Sequence, residues 1–195
     1  FRENLDTQFK ENIIDSQCRY VSTGHQYIEW GIKGSFTCEN HWDSPFKLNG
    51  YDVEYRRSLL IDLSLGTDPI WAGFKSRARN MIRKAEKAGL KAEVISPDDE
   101  WIVEYYSLLR ETFDRQGLAV PHPIAFYRQL IRLAKSGVAL CVDVRVDQHM
   151  VAGGIFLLDE RRMVYFSGVA SKEGMRLAAP SLIQWRIIQE AVAAG

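Results

Sequence analysis

The sequence predicts an α/β protein in which mixed sheets are flanked by helices, and three observations carry that expectation. From Lys91 onward, the periodicities run in the order strand, helix, helix, strand, strand, strand, helix. Three apolar runs, VALCVDVRV (Val138 to Val146), MVAGGIFLL (Met150 to Leu158) and MVYFSGVA (Met163 to Ala170), are joined only by the polar turns DQH and DERR, as paired strands are. Past Pro180, a helical stretch carries Leu182, Ile183, Trp185, Ile187, Ile188 and Val192, enough apolar surface to cover a sheet.

The remaining elements follow in chain order. Leu5, Phe9, Ile13 and Ile14 predict the end of an amphipathic helix over residues 1–16. YIEWGIKG (Tyr27 to Gly34) and VEYRRSLLIDLSL (Val53 to Leu65) read as strands around a Pro- and Gly-containing loop. After the turn GTDP, Trp71, Phe74, Ala78, Met81, Ile82, Ala85 and Ala88 recur at three-to-four spacing, with Gly89 at the position of a left-handed cap. KAEVI is a short strand. SPDDEW starts a helix, with Ser96 as cap and Pro97 in the first turn, that ends near Gly117. VPHP precedes a second helix, Ile124 to Ser136, and SKEGMRLAA reads as a loop.

Bulk properties narrow the function. The 195 residues hold 25 basic and 25 acidic side chains, so no global field draws the protein to nucleic acid or to an anionic membrane, and any basic site is local. Cys18, Cys38 and Cys141 form neither a CxxC pair nor a ligand set, so no metal is expected and a reducing, cytoplasmic setting is. No apolar run has the ~20 residues that span a bilayer. The first residues, FRENLDTQFKEN, lack a signal-peptide core and an initiating Met, so a fragment is expected.

The local basic site is FKSRARNMIRKAEKAG (Phe74 to Gly89), with six cations against the single acid Glu86. At about 100° per residue, Lys75, Arg79, Arg83 and Lys87 form one ridge and Arg77 and Lys84 a flank. The ridge is a candidate anion site, and a solvated inter-domain helix face is the alternative.

SLLIDLS followed by IWAGFKSRARNMIRKAEKAGL, then FDRQGLAVPHPIAFYRQL, VAGGIFLL and LAAPSLIQW, resembles the FemA/FemB-like peptidyltransferases and the related BioF2-like group of GNAT-type acyltransferases, over roughly Leu59 to Gly195. The resemblance implies tandem GNAT domains, each partly present. Residues 1–90 would close a first domain with the basic connector helix, and residues 91–195 would open a second. It implies an enzyme, inactive as this fragment, that moves an aminoacyl group from tRNA, or an acyl group from coenzyme A, onto a small-molecule or lipid-linked amine such as a peptidoglycan precursor. The alternatives are a coenzyme A-dependent N-acyltransferase in polysaccharide or lipid assembly and a non-catalytic RNA- or anion-binding module.

No cofactor is expected beyond that donor, which would sit at Gly168, Arg176 and Ser181. Coenzyme A-binding relatives have Q/R-x-x-G-x-G/A here, whereas this chain has Ala179 and Ser181 at the glycine positions. Arg115, in an FDRQG segment similar to the family's T-x-x-R-x-G, is a candidate for the acceptor's anion, with a helix-terminal role as the alternative. Tyr165 and Ser167 alternate along their strand and are expected to share a cleft-facing side, although a buried, satisfied hydroxyl is an equal reading. Asp143, Asp147, Glu173, His122 and His149 are the nearby titratable groups, none of which the sequence singles out as general base.

Overall fold

The computed structural model describes residues 60–158 and 163–194, all within one unit, Leu60–Gly195. The helix, strands and loop expected before residue 60, and the DERR turn, lie outside the described residues. Leu63–Leu65 form a 3-10 turn, not the end of a strand, because the Asp62 carboxylate accepts from the Ser64 N–H (3.0 Å) and hydroxyl (2.6 Å) and curls the chain.

Two helices follow, α1 (Thr67–Gly73) and α2 (Ser76–Lys87). The apolar periodicity through Trp71 and Phe74 continues into α2, yet the backbone breaks between them: Phe74 and Lys75 are extended, with ψ of 142° and 146°. The Arg79 guanidinium fills the break, donating to the carbonyls of Ala72 (3.0 Å) and Phe74 at the end of α1. Gly89 caps α2 at φ 77°, as its position predicts, and Leu90 N–H returns to the Ala85 carbonyl.

Strand β1 (Ala92–Ile95) leads to α3 (Asp99–Asp114), whose cap is Asp98, not Ser96: its carboxylate accepts from the Trp101 N–H at 2.8 Å. Helix α4 (Ile124–Lys135) stops at Gly137. Strands β2 (Ala139–Val146), β3 (His149–Leu158) and β4 (Met163–Ala170) complete an antiparallel sheet in the order β1–β2–β3–β4. The segment expected as a loop contains the short helix α5 (Lys172–Arg176), with the Ser171 hydroxyl accepting from the Gly174 N–H at 3.0 Å. Helix α6 (Ala179–Ala193) is the last.

Each face of the sheet buries its own apolar cluster. On one side Ile82 and Ala85 of α2 and Leu182, Ile183 and Ile187 of α6 meet Val142, Val144 and Phe156. On the other, Ile102, Tyr105 and Leu109 of α3 and Tyr127, Leu130 and Ile131 of α4 meet Cys141, Ile155 and Val169. Paired glycines bring both helix layers close to β3. A Cβ on Gly153 would lie 3.0 Å from the Tyr105 ring, and one on Gly154 would lie 2.9 Å from the Phe156 ring and 3.3 Å from Ile183. Helix α2, although it precedes the expected boundary at residue 90, packs on α6 within this same unit.

Candidate active site

Two irregularities in the sheet shape the site. Ile155 pairs with Ser167 and Phe156 with Tyr165, so Phe166 is an extra residue in β4. Likewise Val144 pairs with Ala152 and Arg145 with Met150, so Val151 is extra in β3. A bulge leaves one residue outside the ladder and turns the strand locally.

The bulge at Phe166 breaks the period of two, so Tyr165 and Ser167 do not share the side that alternation predicts. Tyr165 lies toward the α6 side, its ring 5.3 Å from that of Phe156. Phe166 and Ser167 both face α3 and α4: the Phe166 ring is 6.1 Å from Phe126, and Tyr105 Oη–H donates to Ser167 Oγ at 2.8 Å. Tyr105 is wholly buried, and burial pushes its pKa up, so it stays a neutral donor. Its proton therefore occupies a lone pair of Ser167 and leaves the Ser167 O–H available to another acceptor. Gly168 sits beneath Tyr165, where a Cβ would fall 1.7 Å from the Tyr165 hydroxyl oxygen.

Tyr105 is held by a second polar group. Trp101, stacked on it at 4.8 Å, donates its indole N–H to the buried Asp143 carboxylate at 3.1 Å. Arg145 Nε donates to the same carboxylate at 3.0 Å, and its other nitrogens reach Glu104 (2.8 Å) and the Gln148 carbonyl (2.6 Å). Glu104 also accepts from the Met150 N–H at 2.6 Å. Burial raises the Asp143 pKa against the opposing pull of Arg145 and Trp101. At 4 % exposure and with these partners, Asp143 orients α3 on the sheet. Neither Tyr105 nor Trp101 was singled out by the sequence, although their i, i+4 spacing with Leu109 marks one apolar stripe. The Cys141 thiol, pushed up to about 12 by burial, is no nucleophile.

Beyond β4 the backbone turns through Leu177 (right-handed) and Ala178 (left-handed, φ 63°) into α6. Such a pair forms a concavity of amides suited to an anion at a helix start. Here most of those amides are engaged: Leu177 N–H donates to Glu173, Ala178 N–H to Met175 and Ser181 N–H to Ala178, while Pro180 has none. Arg176 is exposed and lies 3.4 Å from Glu173. Ser181 is half-buried in the first turn of α6.

Arg115 ends α3. Its guanidinium donates to Glu111 (2.8 Å), Thr112 (3.3 Å) and the Ala170 carbonyl (2.7 Å), tying the helix to the end of β4. With Ser107, Arg110, Glu111, Asp114 and Lys172 it lines an open cleft of about 630 Å³. The structure thus brings Arg115 together with Arg110 and Lys172, which the sequence did not connect.

The basic ridge is divided. Arg79 is committed to the α1 cap, and the Arg83 guanidinium stacks 5.6 Å over the Trp71 ring, next to Phe74 and Trp185. Lys75 and Lys87 are exposed, as are Arg77 and Lys84 of the expected flank. Among the described residues no cluster of His, Cys, Asp and Glu could hold a metal ion, and no helix is long and apolar enough to cross a membrane.

The sequence profile of the acetyltransferase (GNAT) domain family matches residues 72–195. The chain belongs to this family. In fold it is similar to the crystal structure of FemX, with a TM-score of 0.60 at 14% identity over 68% of this chain and 49% of that one. A second similar structure, of a functionally unknown conserved protein from Staphylococcus epidermidis ATCC 12228, gives a TM-score of 0.38 at 12% identity, over 58% of this chain and 44% of the other. The chain therefore spans about half the length of FemX. No curated protein matches it in sequence.

Proposed function

We propose that the full protein transfers an aminoacyl group from tRNA to an amine acceptor in the cytoplasm, in the manner of the Fem-like enzymes, and does not draw an acetyl group from coenzyme A. The start of α6 carries this reading. A pyrophosphate at that place needs several free amides, and here Pro180 has none while those of Leu177, Ala178 and Ser181 have internal partners. The residues present do not fit a tightly held coenzyme A, and no step is routed through one.

In the proposed reaction the acceptor amine, unprotonated, attacks the ester carbonyl of the charged tRNA. A C–N bond forms, the C–O ester bond breaks, the amine loses one proton, and the ribose oxygen leaves with one. The charge that develops on the carbonyl oxygen needs fixed donors. The backbone freed by the Phe166 bulge and the Ser167 O–H held by Tyr105 are the groups this chain supplies near β4. The cleft on α3, with Arg110, Arg115 and Lys172, receives an acidic part of the acceptor, of the kind carried by cell-envelope precursors.

The test is to give the full protein a precursor pool with either tRNA charged with radiolabelled amino acids or radiolabelled acetyl coenzyme A. Label is expected in the precursors from tRNA alone. Label passing only from acetyl coenzyme A would overturn the reading.

A further inference from the structure

Helix α2 carries two sets of cations, and the fold uses one of them. Arg79 caps α1 and Arg83 stacks on Trp71. Lys75, Arg77, Lys84 and Lys87 are exposed, and none pairs with a carboxylate among the described residues. The helix dipole accounts for Lys84 and Lys87, which lie in the last turn beside its negative end. It works against Lys75 and Arg77, which stand at the positive end with no acid in the first turn. Folding stability therefore gives no reason for a cation at both ends of one helix.

The geometry of the row points to its partner. Arg77, Lys84 and Lys87 fall at i, i+7 and i+10 on the side away from buried Ile82 and Ala85, while Lys75, at the extended N-cap, lies outside this row. From Arg77 to Lys87 the row covers about 15 Å of helix axis at 1.5 Å per residue. One diphosphate reaches only part of such a row, whereas a polymer with regularly spaced charges reaches all of it. Between the cations the exposed face carries Ser76 and Asn80, and α2 exposes no large apolar side chain to enter a lipid surface.

We propose that this face, with Arg77, Lys84 and Lys87, docks the sugar–phosphate backbone of RNA. The choice of RNA among polyanions rests on the aminoacyl-transfer reading above. Arg79 and Arg83, the centre of the ridge expected from spacing, hold the helix in place and do not contact the RNA.

The experiment is fluorescence anisotropy of this chain with a labelled, uncharged tRNA pool between 50 and 200 mM salt. Three phosphate contacts give a slope of log K against log salt of about −2 to −3. The triple variant Arg77→Glu/Lys84→Glu/Lys87→Glu should keep its melting temperature and lose at least tenfold in affinity. The milder Arg77→Gln/Lys84→Gln should lose less and guards against misfolding of the first. Arg132→Glu, exposed on α4 and outside the candidate site, should bind as wild type. Absence of binding at 50 mM, wild-type affinity in both α2 variants, or equal binding to phosphatidylglycerol vesicles would overturn the proposal. Uncharged RNA reports docking without transfer. Binding that is lost on reversal, in a full protein unable to transfer from charged tRNA, supports docking and sinks only the transfer reading.

Discussion

The two faces of the sheet are built by different means. Beneath α2 and α6 the contacts are apolar, with Phe156 pressed on Gly154 and Ile183 and a Trp71–Phe74–Trp185 cluster at the rim. Beneath α3 and α4 the apolar layer contains directional bonds: Trp101 to Asp143, Arg145 to Asp143 and Glu104, and Tyr105 to Ser167. A buried hydrogen bond adds only about 0.5–1.5 kcal/mol net, less than an apolar group of similar size contributes by its burial. The directional side-chain bonds on the α3 and α4 face therefore indicate control of position. The position they control is that of α3 relative to the β4 bulge.

Three changes separate the faces, and the first is the largest. Phe156→Ala, at 2 % exposure, is expected to destabilise by about 3–5 kcal/mol, read as a shifted midpoint in chemical denaturation. Tyr105→Phe keeps the ring and removes only the bond to Ser167, so about 1 kcal/mol is expected. Equal losses from the two would erase the distinction. In a full protein with measurable transfer, Tyr105→Phe should lower kcat more than it raises KM, because Ser167 is then free to rotate.

The smallest effect is a pH dependence. The folded-state pKa of Asp143 is raised above its unfolded value by burial, so the folded chain binds this proton more readily than the unfolded chain. Its contribution is fully present below the ordinary carboxylate pKa and is lost as pH rises through the raised folded value. Thermal melts of wild type and Asp143→Asn across the weakly acid range isolate this group. The wild type should lose stability relative to the variant as pH rises, and a difference of opposite sign would mean that the Arg145 attraction outweighs burial.

Regular elements were legible where a pattern extends over many residues. The apolar stripe of α6, the strand runs and the Gly89 cap each follow from spacing. What escaped depends on single local bonds. Arg79 reads as one more exposed cation until its guanidinium is seen on the Ala72 carbonyl. The five residues of α5 are too few for a periodic signal and are fixed by Ser171. For the site, Tyr165 and Ser167 were placed on the right strand, but a bulge leaves no mark in the alternation of MVYFSGVA, and their relation changed with it. The cleft joining Arg110, Arg115 and Lys172 brings together segments far apart in the chain, which spacing does not encode.

Gly174 has a consequence for how this protein can diversify. A Cβ there would fall 2.0 Å from the Val151 carbonyl oxygen, and that carbonyl also accepts from the Ser171 N–H at 3.0 Å. Main chain rests on main chain, so α5 is seated on the β3 bulge at a height that no side chain sets. The outward residues of α5, Met175 and Arg176, can therefore be exchanged while the platform beneath them stays where it is. The surface here is interchangeable, and its foundation is not.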